Sequence, residues 1–301
     1  MKKKVAIIFG SGGQDGFYLS DLLTNIGVNV IKISRNSGDV IGDVSDREFV
    51  EENIKLYTPD FIFHFAAVSS TRHDYIFQNN EAISNGTINI LESARLFSPN
   101  TKIFLSGSAL QFTNKGIPID EKAPFDLTST YSISRIYSVH MGRYFREKFG
   151  LKVYIGYFFN HDSPLRGESH INQKIVAHAV RIKNGSNEEL VIGDIEIKKE
   201  FNYAKDLMNA IWMLINQDLI FEAVIGSGKS YTIKEWVEYI FKKLNLNWEN
   251  HIRLNESYIS DYKELVSNPQ TLKKIGWEPK TNFYELADMM LDSELKKQRI
   301  N

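Results

Sequence analysis

The chain has 301 residues, 43% of them hydrophobic, and a formal net charge of -1. This is enough for one sizeable core or two interlocked ones, and the balanced charge offers no overall attraction for nucleic acid or an anionic membrane. Cysteine is absent, which excludes a disulfide scaffold, a thiolate nucleophile and thiolate metal sites. No apolar stretch approaches the roughly 18 residues of a membrane span. We therefore expect a cytoplasmic protein with neither nucleic acid nor membrane as a partner.

The first half of the chain alternates short apolar runs with helical patterns. Five runs are rich in branched and aromatic residues and mostly lack polar alternation, as in parallel strands buried on both faces. They cover residues 5–9, 28–34, 61–67, 103–106 and 153–158. Repeated strand–helix alternation predicts an α/β fold with a Rossmann-type, doubly wound parallel sheet.

Beyond about residue 160 the pattern changes. A polar segment over 160–168 precedes helical patterns at 171–183 and 205–216, and a capping box at Thr232 and Glu235 opens another helix through residue 244. We predict a nucleotide-binding Rossmann domain over 1–165, to which the chain returns around 200–225. Residues 166–301 would form a smaller α/β lid for the substrate, over the carboxyl edge where such sheets bind ligands.

A glycine triplet follows the first predicted strand. Gly10, Gly13 and Gly16 form G-x-x-G-x-x-G before an amphipathic helix. Glycines there permit a tight turn and close approach of the backbone to a pyrophosphate, whose charge the helix N-terminus favours. This placement predicts a dinucleotide site rather than an ordinary turn.

Arg35 follows the second predicted strand, where an acid would otherwise bind the adenosine ribose. An arginine suits a 2′-phosphate, which favours NADP(H) over NAD(H) as the cofactor. NAD(H) stays open, because the alternative reading is a solvent-exposed arginine.

Four further segments, in order along the chain, carry a family resemblance. They are Gln14-Asp15 inside the glycine triplet, Gly42-Asp43-Val44, His64-Phe65-Ala66-Ala67 and the run N-H-D-S-P-L-R-G-E over 160–168. With these the chain resembles the extended short-chain dehydrogenases/reductases, and it is most similar to the GDP-mannose 4,6-dehydratases. The resemblance implies a nucleotide-diphosphate sugar, GDP-linked, as the substrate.

The resemblance also implies roles for individual residues. The residue pattern assigns the cofactor to Gly10, Gly13, Gly16 and Arg35, and the resemblance adds Gln14, Asp15, Asp43, Val44, Ala66, Ala67, Tyr131, Arg135 and His161. The resemblance assigns the substrate to Ser69, Ser108, Asn160, Arg166, Lys174 and Lys199, the two lysines as cationic contacts to the diphosphate. Tyr131, Ser108 and Arg135 are the implied catalytic residues, with Tyr131 as acid/base at the sugar 4-hydroxyl.

Tyr131 and Arg135 depart from the family's Tyr-x-x-x-Lys pair. A phenol has an ordinary pKa near 10, so a base at neutral pH needs a nearby cation. Arg135 keeps the charge and the i,i+4 spacing, but its planar fork is bulkier than an ammonium and never deprotonates. Redox chemistry is expected to survive with altered geometry. The alternative is that both residues lie at the start of a helix without a catalytic role.

Leu110 stands where family dehydratases carry the glutamate that removes the C5 proton. Losing one acid–base group costs roughly 10²–10⁴ in rate. We therefore predict an oxidoreductase or epimerase that transfers hydride at C4 without efficient 4,6-elimination. The alternatives are a dehydratase that recruits Glu121 or Glu168, and a non-catalytic sensor of nucleotide sugar or NADP(H).

A short loop adds a third departure. Only six residues separate Arg35 from Gly42. The family's loop there is much longer, holds the 2′-phosphate and reaches into a neighbouring subunit of a tetramer, so its absence weakens the case both for NADP specificity and for a tetramer. The resemblance then implies a homodimer, formed through helices around 81–96 and 132–148.

The seven histidines are scattered without metal-ligand spacing, so we predict no metal site.

Overall fold

A seven-stranded parallel sheet forms the centre of the protein, which is described by a computed structural model over residues 3–255, 257, 258, 260 and 262–300. Its strands are β1 (Val5–Phe9), β2 (Asn29–Ser34), β3 (Val40–Ile41), β4 (Phe61–His64), β5 (Lys102–Ser108), β6 (Lys152–Phe158) and β11 (Glu222–Ile225). The other described strands form smaller sheets: β7 (His161–Asp162), β8 (Leu190–Ile192), β9 (Lys198–Glu200), β10 (Asn202–Tyr203), β12 (Ser230–Thr232), β13 (Ile252–Leu254) and β14 (Glu264–Leu265).

The helices are α1 (Gln14–Asn25), α2 (Arg47–Tyr57), α3 (Ile76–Asn79), α4 (Gly86–Phe97), α5 (Thr130–Phe149), α6 (Ile171–Lys183), α7 (Ala204–Ile215), α8 (Ile233–Lys243), α9 (Gln270–Lys274) and α10 (Phe283–Ile300). A π-helical turn over Asn80–Asn85 joins α3 to α4.

The strand order in the central sheet is β3-β2-β1-β4-β5-β6-β11. The chain moves outward from β1 to β3 and then returns to place β4 on the other side of β1, so the order reverses between β1 and β4. In such sheets a crevice opens at the carboxyl ends of the strands where the order reverses. The loops after β1 and β4 therefore meet at this crevice.

Helices cover both faces of the sheet because neighbouring residues of each strand point to opposite sides. In β1, Ala6 and Ile8 pack in the core cluster that includes residues of α1 and α7. Ile7 and Phe9 pack in the opposite cluster with residues of α2, α4 and α5. This arrangement confirms the predicted α/β class and the doubly wound parallel sheet.

The second half of the chain divides its elements between the sheet and a separate core. Helix α7 packs on the sheet and β11 extends it beside β6. A third core, centred on the fully buried Trp236, joins α6, α8 and α10 with β8 and the segment 195–201. The division into domains at residue 165 remains a prediction.

The predicted and observed elements differ mainly at their ends. The strand predicted over 61–67 ends at His64, because the next residues leave the sheet: the amides of Phe65 and Ala66 both donate to the Phe9 carbonyl, at 2.9 and 3.2 Å. The helix predicted over 171–183 is α6, and the capping box forms with Thr232 and Glu235 at the start of α8. Within the described ranges no helix is long and apolar enough to cross a membrane.

Candidate active site

Two adjoining cavities open at the carboxyl edge of the sheet. The glycine-loop cavity, about 450 Å³, lies among the residues after β1, β2 and β4. The tyrosine cavity, about 340 Å³, lies among the end of β5, the start of α5 and the segment 158–172. Both are lined by Asp15, Phe65, Ser69 and Arg166. A ligand that spans both cavities would therefore contact two halves of one site.

Close backbone contacts shape the glycine-loop cavity. Gly10 has φ +88°, and a Cβ there would lie 2.5 Å from the backbone nitrogen of Ala66. A Cβ on Gly16 would lie 2.5 Å from Ser11 Cα. Gly13 differs, because the nearest atom to its Cβ position is the Gly10 carbonyl oxygen at 3.6 Å. Gly13 therefore leaves space in the wall, and the amides that begin the 12-residue helix α1 follow directly. This geometry fits a pyrophosphate.

The other residues assigned to the cofactor line the same cavity, His161 and the Tyr131–Arg135 pair excepted. Those lining it are Gly10, Gly13, Gln14, Asp15, Gly16, Arg35, Asp43, Val44, Ala66 and Ala67. The Asp43 carboxylate accepts from the amide and the hydroxyl of Ser45, both at 2.9 Å, which orients it. Arg35 is exposed at the cavity mouth. Their roles remain predictions, although their grouping in one cavity fits a dinucleotide.

Tyr131 and Ser108 line the tyrosine cavity from two elements. Tyr131 lies in the first turn of α5, which begins with a capping box at Ser129, and its side chain is buried. Ser108 ends β5, and its hydroxyl oxygen accepts from the Leu110 amide at 3.2 Å. That bond occupies a lone pair and leaves the Ser108 hydroxyl hydrogen able to donate. The pair can thus bind one hydroxyl or carbonyl oxygen of a ligand.

Arg135 lies one turn after Tyr131 and is 4% exposed. Its guanidinium carbon is 5.2 Å from the centre of the Tyr131 ring. Its Nη1 donates to the carbonyl oxygen of Ser106 at 2.5 Å and to the Ser106 hydroxyl at 2.7 Å. The cation therefore lies against the tyrosine, as the Tyr-x-x-x-Lys comparison predicts, but is held by the neighbouring strand.

Leu110 also lines the tyrosine cavity, and neither glutamate considered as a replacement acid does. Glu121 accepts from the Val224 amide at 2.8 Å and from the Thr271 hydroxyl at 3.1 Å, so it caps the exposed edge of β11. Glu168 pairs with Arg181 at 3.0 Å, on the side of α6. Their hypothesised role is not supported, because both carboxylates are bound elsewhere.

Four charged residues form a cluster between the cavities. His161 Nε2 lies 3.0 Å from an Asp15 oxygen, and Arg166 donates to an Asp162 oxygen at 3.0 Å. Burial alone would raise the pKa of Asp15, but the charge and the hydrogen bond of His161, together with Arg166 and Gln14, more than offset burial and lower that pKa. Burial alone would lower the pKa of His161, but the charge and the hydrogen bond of Asp15 more than offset burial and raise that pKa. The raised pKa of His161 and the lowered pKa of Asp15 both favour the imidazolium–carboxylate form of this pair.

Asp162 is likewise ionised. Burial alone would raise its pKa, but the nearby charges of Arg166 and Lys199 lower it. Its second oxygen accepts from Asn172 Nδ2 at 2.6 Å. The only carboxylates that line the tyrosine cavity among the described residues are thus Asp15 and Asp162, both ion-paired. A carboxylate with a lowered pKa is a weak base, so neither replaces the absent glutamate well.

Basic residues form a further part of the wall of the tyrosine cavity, which we call its basic wall: Arg166, His170 and Lys199. Burial lowers the pKa of Lys199, which is 7% exposed, to about 8. Burial and the neighbouring Arg166 also lower the pKa of His170. Both line the tyrosine cavity together with Asn160, whereas Lys174 lines neither cavity. A cationic contact from Lys174 to a diphosphate therefore stays a prediction without support from the cavity geometry.

Sequence reasoning missed several residues that line the tyrosine cavity, among them Ser106, Asp162, His170 and Asn172. Asp162 lies inside the run over 160–168 that carries the resemblance, so a signal for it was available. Asn172 Oδ1 is buried without a partner among the described residues, as is Asn160 Oδ1. Two such acceptors in one cavity fit a polar ligand with several hydroxyl groups.

Comparison with known proteins decides the family. The family model described as GDP-mannose 4,6 dehydratase matches residues 7–290. The chain belongs to this family. A curated relative, GDP-mannose 4,6 dehydratase 1 of Arabidopsis thaliana, is 27% identical over 326 residues, which cover 98% of this chain and 90% of the relative. The resemblance seen in the sequence is thereby confirmed, as is the prediction of an enzyme of the short-chain dehydrogenase/reductase class.

Solved structures show the same fold. RMD from Pseudomonas aeruginosa, in complex with NADPH, superposes with a TM-score of 0.87 at 16% identity and covers 98% of this chain and 100% of its own. UDP-glucose 4-epimerase of Thermus thermophilus, in complex with NAD, superposes with a TM-score of 0.84 at 19% identity and covers 96% of this chain and 98% of its own. At these identities the likeness concerns the fold.

Proposed function

We propose that the protein is an NAD(P)-dependent oxidoreductase or epimerase that transfers hydride at C4 of a GDP-linked sugar. The observation that carries the proposal is the wall of the tyrosine cavity: Ser108 and Tyr131 are kept beside a cation, while Leu110 stands where a dehydratase needs its glutamate. The chain thus keeps the groups for redox chemistry at a hydroxyl and lacks the group for elimination.

Each residue of the cavity has a defined task in this proposal. A nicotinamide cofactor, when bound, supplies the hydride acceptor or donor. Tyr131 takes the proton from the sugar 4-hydroxyl as it becomes a carbonyl, or returns it in the reverse direction. Ser108 donates to the same oxygen, and the positive charge of Arg135 favours the phenolate form that accepts the proton. An epimerase would use both directions in turn on opposite faces of C4.

The diphosphate of the substrate fits the basic wall. Arg166 and Lys199 would contact its oxygens, and His170 is a third donor once protonated. The GDP linkage rests on the relatives, whose names specify GDP-mannose. The buried acceptors of Asn160 and Asn172 would bind sugar or ribose hydroxyls.

The preference for NADP(H) rests on Arg35, since its guanidinium at the mouth of the glycine-loop cavity suits a 2′-phosphate. We expect Arg35→Ala to weaken NADPH binding about tenfold or more, because a charge-assisted hydrogen bond is lost. NADH binding should change little. Fluorescence titration with both cofactors checks this, and equal losses for the two would show that Arg35 does not recognise a 2′-phosphate.

The test of the reaction is product analysis with GDP-hexoses and the cofactor. We expect interconversion of the 4-hydroxyl and 4-keto forms or of the C4 epimers, without rapid formation of a 4-keto-6-deoxy product. The variant Leu110→Glu restores the missing carboxylate and should raise elimination above the wild-type level, with Leu110→Gln as the uncharged control. Rapid elimination by the wild type would overturn the proposal.

A second candidate is a 4,6-dehydratase with an atypical acid/base, which family membership favours. With Glu121 and Glu168 bound elsewhere, the acids that the described residues place in the tyrosine cavity are Asp15 and Asp162, both ion-paired. A third candidate, a sensor without catalysis, predicts ligand binding with no hydride transfer. The same product analysis separates all three.

We also propose that the protein is a homodimer through α4 and α5. Several apolar side chains on these two helices and on the neighbouring α3 are exposed, namely Leu96 on α4, Ile133, Tyr137, Tyr144 and Phe149 on α5, and Ile76 and Phe77 on α3. A second copy would cover such a surface. Light scattering on the purified protein checks the mass, and a monomer at micromolar concentration would contradict this assembly.

A further inference from the structure

Within the described residues, both side-chain hydrogen bonds of Arg135 go to Ser106. Nη1 donates to the Ser106 carbonyl at 2.5 Å and to its hydroxyl at 2.7 Å. The hydroxyl in turn donates to the His64 carbonyl at 2.7 Å. Because a guanidinium has donors only, the hydroxyl hydrogen must point to His64 and a lone pair must face Arg135. The three residues form a hydrogen-bond chain with one fixed direction.

The acceptors of this chain are neutral, which matters for the neighbouring tyrosine. An ion pair with a carboxylate would offset the charge of Arg135, and no such pair forms among the described residues. A carbonyl and a hydroxyl hold the guanidinium without cancelling its charge. The full charge therefore acts on the Tyr131 ring, whose centre is 5.2 Å from the guanidinium carbon.

His64 adds no second positive charge beside Arg135. It is 1% exposed, and burial together with Arg135 lowers its pKa to about 3. Its imidazole is therefore neutral throughout the pH range in which an enzyme of this kind would be measured. The positive charge at this end of β5 is that of Arg135.

An arginine needs such an anchor more than a lysine does. An ammonium is a compact charge with three rotating donors, whereas a guanidinium is a planar fork that acts in one orientation. Arg135 is buried, and its Nε has no partner among the described residues. Removal of the Ser106 hydroxyl would leave Nη1 with the Ser106 carbonyl as its single acceptor, so the guanidinium could rotate about that bond.

We propose that Ser106 is a positioning residue, whose hydroxyl fixes the guanidinium of Arg135 beside Tyr131 and so allows an arginine to serve where this class of enzyme uses a lysine. The inference rests on the proposed function, because it assigns Tyr131 the proton transfer. Ser106 itself need not touch the reacting atoms.

The experiment compares Ser106→Ala with Ser106→Thr, which keeps the hydroxyl and suits a strand. Hydride transfer is followed by nicotinamide absorbance across pH. For Ser106→Ala we expect kcat to fall about tenfold and the rise of the pH profile to move up by about one unit, with KM nearly unchanged. Ser106→Thr should retain the wild-type profile. Ser138→Ala is the matched control, because it removes another buried hydroxyl of this region, bonded to Thr87 at 2.7 Å, away from the cavity.

An unchanged pH profile in Ser106→Ala would overturn the inference, whatever its thermal stability. If the alanine variant does not fold, Ser106→Cys, a near-isostere and weak acceptor, must show the same upward shift. In an Arg135→Lys background the loss of the Ser106 hydroxyl should matter less, and an undiminished effect there would also contradict it.

Failure of the proposed function gives a different result. If the wild type transfers no hydride with any GDP-sugar, the proposed function fails, and Ser106 is then tested without substrate. The ultraviolet absorbance of ionised tyrosine, taken as the difference from Tyr131→Phe, should appear at higher pH in Ser106→Ala than in the wild type. Coincident titrations would reject the positioning role.

Discussion

The two cavities of the site are built in different ways. The glycine-loop cavity is shaped by backbone, where a single added Cβ on Gly10 or Gly16 meets main-chain atoms at 2.5 Å. The tyrosine cavity is shaped by long side chains that bind one another, such as Arg166 with Asp162. In the glycine-loop cavity the backbone therefore limits the size of the residues at these positions. In the tyrosine cavity the side chains set the chemistry, and a neighbouring side chain can adapt to a change in size.

This difference explains where the chain departs from its family. The glycine triplet is intact, since a Cβ on Gly10 or Gly16 would collide with backbone and a Cβ on Gly13 would fill the space left in the cavity wall. Both departures at the reacting centre, Arg135 and Leu110, lie in the tyrosine cavity, where a neighbour can adapt. Ser106 accommodates the larger cation. Chemistry can thus change in one cavity while the other continues to bind the same ligand.

The variant Tyr131→Phe tests most directly whether the two cavities have separate roles, catalysis in one and cofactor binding in the other. Removing the hydroxyl deletes the proton transfer, so kcat should fall by roughly 10²–10⁴. Cofactor affinity should stay within about twofold, because the glycine-loop cavity is untouched and surrounding contacts are kept. Single-turnover absorbance and cofactor titration measure the two. Tyr137→Phe, on the same helix and 39% exposed, is the matched control. Comparable losses in both variants would place the effect in the helix instead.

Two glycine variants test whether backbone contacts set the first cavity. Gly16→Ala places a Cβ against Ser11 Cα, so we expect a loss of about 1–3 kcal/mol in stability and weaker cofactor binding. Gly13→Ala meets no atom closer than 3.6 Å, and its φ of -82° suits alanine. It should keep its stability and lose cofactor affinity about tenfold, because its methyl group fills the wall where the pyrophosphate approaches.

Thermal unfolding and cofactor titration distinguish the two glycine variants. Equal destabilisation of both would mean that the loop is strained as a whole. Full cofactor affinity in Gly13→Ala would mean that the pyrophosphate lies elsewhere, and the fit of a dinucleotide to this cavity would then fail.

Sequence periodicity predicted the sheet well because parallel strands buried on both faces carry uninterrupted apolar runs. The five predicted strands correspond to β1, β2, β4, β5 and β6. The short strand β3 and the edge strand β11 were not identified individually. β3 has two residues and β11 only four, of which three are buried, too few for a periodic signal.

The site was predictable only where function requires a local motif. The glycine triplet and the run over 160–168 are contiguous, so their residues could be named from sequence. Ser106 could not, because its importance depends on Arg135, 29 positions away. Glu121 likewise looked available as an acid until the fold placed it on the edge of β11, 103 positions along the chain. Pairings across such distances arise from topology, which a single sequence does not reveal.

The smallest expected effect concerns pH and the basic wall of the tyrosine cavity. Lys199 has a pKa of about 8 in the fold because of burial, against an ordinary value of 10.5. It is charged below pH 8, so affinity for a nucleoside diphosphate should fall about tenfold as the pH rises through this value. Asp162, which favours the charge, and Arg166, which opposes it, face the same group. Lys199→Arg stays charged, so its affinity should remain nearly constant to pH 10.

Stability should move in the opposite direction over the same window. Between pH 8 and 10.5 the unfolded chain keeps the Lys199 proton that the fold has lost, so the unfolded state binds more protons. Unfolding free energy therefore rises with pH through this group. Calorimetric titration with GDP and denaturant unfolding, each at several pH values, measure the two trends in the wild type and in Lys199→Arg. A wild-type affinity that is flat across pH 8, or a Lys199→Arg variant that falls with it, would remove Lys199 from the diphosphate site and leave Arg166 and His170 as its basic contacts.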